Sequence, residues 1–380
     1  MPRRTWLAVP ALLLAAVPAA ACSLCLSAQQ SLSFRQEAPN ARMIVYGTVL
    51  RSELGSDGKP TAEFRIDGVV KNDPFLNGKK TLTLPRYLPV VNKNDPPRYL
   101  VFCDVFKDKV DAYRGVPVQS AAAVEYLKGA LALDPKDRTR CLQYYFNYLE
   151  HPDKKIAEDA FLEFAQSNDQ EVGQAAAKLS PAKLRGWLRS KETADYRLGL
   201  YAFLLGACGT AEDAAWFREQ LRKDPLDERT LKAFDGLLGG YIHLRPNEGW
   251  DLALQILRDS RKPFPVRFAA LRTVRFYHGW KPDETKAKVR SALAALLPQG
   301  DIADLAIEDL RRWQLWDLTG DVLALYGQKG FDAPIMKRTI VRYAIACPRP
   351  EAQRFVQERR QQEPDLVRDV EESLQFDRNR

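Results

Sequence analysis

The pattern of apolar and polar positions changes period twice along this chain. Residues 6–19, WLAVPALLLAAVPA, make one apolar run behind Arg3 and Arg4. From residue 43 the apolar positions recur at a period of two. MIVYGTVL (43–50) sets Met43, Val45 and Val49 on one side and Ile44, Tyr46 and Leu50 on the other. Gly47 between them marks a place where another backbone can come close. AEFRIDGVV (62–70) and TLTLPRYLPV (81–90) alternate in the same way, and Pro85 predicts a strand end or edge. RYLVFCDVF (98–106) is apolar almost throughout, as expected of a strand covered on both faces. Asp57-Gly58 and NDPFLNGKK read as turns. Four or five short strands within residues 22–118 predict a small β-barrel.

Beyond YRGVPVQS the period becomes helical. SAAAVEYLKGALALD (120–134) repeats apolar residues three and four apart, and helix-length blocks follow to the end of the chain. They are broken at HPD (151–153), SPAK (180–183), KPFP (262–265), LPQGD (297–301), FDAP (331–334) and CPRP (347–350). Several blocks align: DYRLGLYAFLLGAC (195–208), PVRFAALRTVRFYH (265–278) and PIMKRTIVRYAIAC (334–347), with DKKIAEDAFLEFAQ (153–166) and DERTLKAFDGLLGG (227–240) in the same frame. Starts at 153, 195, 227, 265 and 334 step by 42, 32, 38 and 69, and DLAIEDLRRWQLW (304–316) fills the last gap. A period near 40 with one helix pair per unit predicts a HEAT-like α-solenoid over 119–380. Such pairs bury their stripes only by stacking, so each should touch its neighbours and leave a long curved surface. The fold class expected is therefore α+β with two domains: a small OB-like barrel, then an all-α array.

The first 21 residues have the cationic start, short apolar run and Ala19-Ala20-Ala21 of a signal peptide. Cleavage there makes Cys22 the mature N-terminus, a position that can carry a lipid tether. The protein is thus expected in the periplasm or cell envelope, or secreted, where disulfides persist. A bridge from Cys22 or Cys25 to Cys103 is expected, while Cys141, Cys208 and Cys347 read as buried apolar fillers. Cys208 and Cys347 fill the same slot in distant repeats, too far apart to bridge.

The net charge of +8 over 380 residues permits an anionic envelope partner without demanding nucleic acid, which is not expected. Only three histidines occur, His151, His243 and His278, none at metal-ligand spacing from another. There is no GxSxG, HExxH, P-loop or GxGxxG motif. No enzyme activity, metal or cofactor is expected, and the chain reads as a monomer that holds a protein partner. The candidate binding residues are Arg267, Arg272, Arg275 and Trp280, in PVRFAALRTVRFYHGWKP (265–282), where arginines interleave with aromatics. Arg272 and Arg275 lie three apart and share a helix face. The plainer alternative is solvated arginines beside core aromatics, and core packing is likewise the expected role of Trp313 and Trp316.

Two resemblances follow from these residues. Cys22 with Cys25 close behind, then IVYGTVL, FRIDGVVKN and RYLVFCDVF, resemble the netrin-like OB-type domain of the tissue inhibitors of metalloproteases. That resemblance implies a free amine and carbonyl at Cys22 able to cap a protease metal. The whole pattern resembles secreted bacterial HEAT-repeat proteins, which implies binding but no particular activity. Intact mass of the exported protein checks the leader: the expected mass begins at Cys22, and a diacyl adduct there would eliminate the chelating amine.

Overall fold

The computed structural model describes residues 32–378 apart from 55–57, 89, 91 and 93, so the leader, Cys22 and Cys25 lie outside the described residues. A short helix α1 (Phe34–Glu37) leads into five strands: β1 (Met43–Leu54), β2 (Pro60–Lys71), β3 (Thr81–Leu84), β4 (Arg98–Phe106) and β5 (Lys109–Pro117). They form one antiparallel sheet in the order β3-β2-β1-β4-β5. β1 is central, and both of its faces are covered. Met43, Val45 and Val49 join Phe64, Leu82, Leu84 and Val101 in one core, while Ile44 and Tyr46 turn to the core shared with the helices. β4 divides in the same way, Val101 and Cys103 inward, Leu100 and Phe102 toward the helices. The outer strands β3 and β5 touch, with the Arg86 guanidinium donating to the Tyr113 carbonyl at 2.9 Å, so the sheet curls into a barrel around the inner core. A methyl group on Gly47 would stand 1.9 Å from the Arg65 carbonyl oxygen, which is why glycine occupies this tight crossing of β1 and β2.

The expected bridge from Cys22 or Cys25 to Cys103 has both candidate partners of Cys103 outside the described residues. Cys103 is a free thiol, fully buried among apolar side chains and paired across the ladder with Met43. Its strand position points it into the barrel core, and burial pushes its pKa up to about 12, so it is an inert apolar filler. Cys141 and Cys347 are likewise buried free thiols, and Cys208 is half-buried.

The helical part comprises α2 (Ala122–Leu131), α3 (Arg138–Phe146), α4 (Lys154–Ala165), α5 (Asp169–Ala176), α6 (Pro181–Arg189), α7 (Leu198–Cys208), α8 (Ala211–Leu221), α9 (Glu228–Leu244) and α10 (Pro246–Arg258). It continues with α11 (Phe264–Trp280), α12 (Pro282–Leu296), α13 (Ala303–Arg312), α14 (Thr319–Ala324), α15 (Pro334–Ala346), α16 (Pro350–Gln362) and α17 (Pro364–Arg378). The prolines that break the sequence pattern start helices: Pro181, Pro334 and Pro350 each occupy a first turn, where the missing N–H costs nothing. Asp153 of HPD caps α4 by accepting from Lys155 N.

From α7 onward, alternate helices α7, α9, α11, α13, α15 and α17 lie side by side in chain order. Their cross-links keep a constant stride. Arg229 meets Asp195 in the turn before α7, Arg275 meets Asp309 and Arg338 meets Asp369, all at 31 to 34 residues' separation, and the Thr273 and Tyr277 hydroxyls reach carbonyls 38 residues back. Starts of helices pair with starts and ends with ends, so the row is parallel, as in a solenoid.

In the middle of the array the contacts depart from a strict nearest-neighbour stack. α7 is apolar all round and buried from Leu198 to Gly206. Phe203 of α7 reaches past α9 to Phe276 of α11, ring centroids 4.2 Å apart. Trp280 of α11 lies over Gly173 of α5, 107 positions earlier. The array is curled tightly here, and the inner face at the C-terminal ends of α7, α9 and α11 is filled.

Barrel and array are joined at α4. Ser33 Oγ donates to Glu163 Oε1 at 2.5 Å, Phe34 N donates to Asp159 Oδ1 at 2.7 Å, and Tyr126 OH donates to Asp159 Oδ2 at 2.7 Å. The two acids stand one turn apart on α4, so the turn that precedes β1 is capped by a buried pair of carboxyls. Burial raises the Asp159 pKa to about 7 against the hydrogen bonds from Tyr126 and Phe34, with nearby Glu163 adding to the rise. A folded-state pKa above the unfolded value means that the folded chain binds the extra proton. Stability from this group is therefore full below about pH 4 and is lost as pH rises to about 7. Thermal melts between pH 4.5 and 7.5 check this: Asp159→Asn should fall less than the wild type over that window, and an identical slope would refute it.

Candidate functional site

The curl that closes one end of the α7, α9 and α11 group leaves the other end open. A cleft of about 620 Å³ lies among the turn Asp195–Arg197 and the first halves of these three helices. Tyr196, Phe264 and Phe268 form its aromatic wall. Tyr196 and Phe264 remain 45% and 41% exposed, and Phe264 stacks on Phe268 with centroids 5.8 Å apart.

Gly199 and Asp235 line its floor, where α7 and α9 meet. A methyl on Gly236 would stand 1.7 Å from the Gly199 carbonyl oxygen, and one on Gly206 2.1 Å from the Gly240 Cα, so α7 and α9 touch backbone to backbone. Asp235 is buried at this contact. Its Oδ1 accepts from Gly236 N at 2.8 Å and its Oδ2 lies 2.6 Å from the Arg272 guanidinium. Burial pushes its pKa up, and the facing Arg272 charge holds the rise down. At the rim, Lys232 at 2.9 Å and Arg229 at 3.1 Å hold the Asp195 carboxyl below its usual range. The four lining charges, Asp195, Asp235, Lys232 and Arg272, cancel, so the cleft offers aromatic surface over a neutralised polar floor.

Of the four residues expected from the sequence, only Arg272 lines this cleft. Arg267 is buried, bonded at 2.9 Å to Asp301 and 2.7 Å to Gln299, with its Nε donating to the Lys262 carbonyl at 2.9 Å. Arg275 pairs with buried Asp309 of α13 at 2.7 Å. Arg272 and Arg275 thus serve α9 on one side and α13 on the other. Trp280 packs among Phe203, His243, Phe276 and Tyr277. These four residues hold repeats together and do not form a common exposed patch. Trp313 and Trp316 are half-buried, stacked on His278 at 3.8 Å and packed on Tyr343. The histidines are similarly taken: burial lowers the pKa of His243 and His278, and His151 Nδ1 accepts from Asp153 N. Among the described residues no three His, Cys, Asp or Glu side chains are placed to hold a metal ion.

Tyr196, Lys232, Asp235 and Phe264 were not singled out by sequence reasoning. Two of them carry a signal: Asp235 is the lone acid in the glycine-rich apolar run AFDGLLGGYI, and Phe264 stands between two prolines in KPFP.

The sequence matches no family model and no curated protein, and the fold matches no solved structure.

Because the floor depends on backbone contact, Gly236→Ala should destabilise the protein by about 1–3 kcal/mol through overpacking. Gly186, in α6 with open space around its Cα, is the control: Gly186→Ala should stabilise by about 0.5–1 kcal/mol. Denaturant melts compare the two, and equal effects would refute the close-contact argument.

Proposed function

We propose that this chain is an exported, non-enzymatic binding protein whose helical array holds a protein partner along the edge formed by the starts of its parallel helices. The observation that carries this reading is a row of exposed apolar side chains on that edge. Tyr196 precedes α7, Phe264 begins α11 and Ile335 begins α15, at 45%, 41% and 61% exposure. They stand 68 and 71 positions apart, every second repeat, and the first two flank the aromatic cleft. Large exposed aromatics beside a concave, desolvated floor are what interface anchors require. The surplus of basic residues, +8 overall, favours a partner with acidic surface and would speed its approach. The leader-like first 21 residues and Cys22 support work outside the cytoplasm in this reading, soluble or tethered by lipid, with the protein itself a monomer.

A photo-crosslinking amino acid at position 264 or 335, compared with one at exposed Leu131 on α2, tests the edge in the producing cell. The same adduct band is expected from 264 and 335 and not from 131. It should weaken about fivefold or more in a Tyr196→Ala background, the loss of one anchor worth about 1 kcal/mol. Equal adducts from all three positions would overturn the assignment.

A further inference from the structure

A second cavity lies on the other side of Leu231 and Pro265, which it shares with the aromatic cleft. It measures about 460 Å³ and opens between the loop before α9, helix α10 and the start of α11. Its chemistry differs from that of the cleft. Leu231, Phe234, Leu252, Ile256 and Val266 give it an apolar, mostly aliphatic floor. The size is that of a small-ligand site, typically about 300–1,000 Å³.

The rim is charged, and its charges do not balance. Asp259 lies 2.9 Å from Arg261, and Lys223 lies 3.4 Å from Asp227. Arg222 and Lys262, both exposed rim residues, have no ion-pair partner among the described residues, and the three lining cations Arg222, Lys223 and Lys262 outnumber the two lining acids, Asp224 and Asp259, the latter also drawn toward Lys262. The first turn of α11 also lines the cavity and carries no side-chain cap, so the positive end of a 17-residue helix adds to the field there.

From the apolar floor and the surplus of cations at the mouth, we infer that this cavity binds a single aliphatic chain with an anionic head, such as a medium-chain carboxylate. The chain fills the space over Phe234 and Ile256, removing apolar surface from water. The head stays at the mouth beside Arg222 and Lys262, in water and close to opposite charge. The site shares Leu231 and Pro265 with the aromatic cleft but uses neither Tyr196 nor Phe264, the exposed anchors of the protein-binding edge.

Isothermal titration of the full-length mature protein with decanoate, below its micelle concentration, tests this. The expected result is saturable one-to-one binding that weakens with added salt. Decyltrimethylammonium, of equal chain length and opposite charge, should bind on the order of tenfold more weakly. The exposed pair Arg222→Glu with Lys262→Glu should lose decanoate by a similar factor while keeping the wild-type melting temperature. Leu252→Trp, which fills the cavity, should abolish binding of both amphiphiles. Equal binding of the two amphiphiles, or decanoate binding unchanged in both variants, would overturn the inference. So would sedimentation with anionic phospholipid vesicles without any decanoate binding, which would assign the cations to a membrane surface.

Discussion

The backbone contact between α7 and α9 sets the geometry on which the rest of the array depends. Where Gly199 meets Gly236 and Gly206 meets Gly240, no side chain separates the two helices. α9 is drawn in, and Phe276 of α11 can then reach Phe203 of α7. Three helices that would lie in a gentle row in a regular solenoid become a tight group. The group is packed with aromatics at one end and open at the other, and the open end is the cleft. The same contact buries Asp235, and a buried carboxylate demands a partner, which Arg272 supplies from the next repeat.

Charge plays a structural part through the array for the same reason. Acids set into helix-helix seams cannot remain alone, and arginines one repeat away reach them. Asp309 is the clearest case: burial pushes its pKa up to about 6 even with Arg275 at 2.7 Å. The pairs fix the register between neighbouring helices and leave much less free positive surface than the net charge suggests. At α4 the rule operates between domains, where Asp159 and Glu163 accept from the turn that leads into the barrel and so bind the two parts into one body.

Much of the fold could be read along the chain because its signals are local. The alternation in MIVYGTVL assigned Met43 and Val45 to one core and Ile44 and Tyr46 to another, and the continuous apolar run of β4 correctly meant cover on both sides. Proline-marked breaks located the helix starts, since proline is tolerated in a first turn and not beyond it. The repeat stride appeared both in the aligned blocks and in the ion pairs 31 to 34 residues apart. Leu50 was the exception on β1: placed with Ile44 and Tyr46, it is 42% exposed, and it sits at the register shift between Val49 and Arg51 where it has no partner on β2, a break in the alternation that periodicity alone does not show.

By itself, then, the sequence determined four of the strands, the change from sheet to helix near residue 120 and the repeat, because each depends on periodicity within a few turns of chain; α1 and β5, without such a run, were not legible. Tertiary structure alone decided which arginines are free. Arginines 267, 272 and 275 look alike in the sequence, yet their roles depend on aspartates 34 to 37 residues away and on how far α9 withdraws. It also decided that Trp280 is packed and Phe264 is not. Exposure belongs to the assembled surface, and an aromatic residue on an amphipathic helix carries no local mark of which neighbour will cover it.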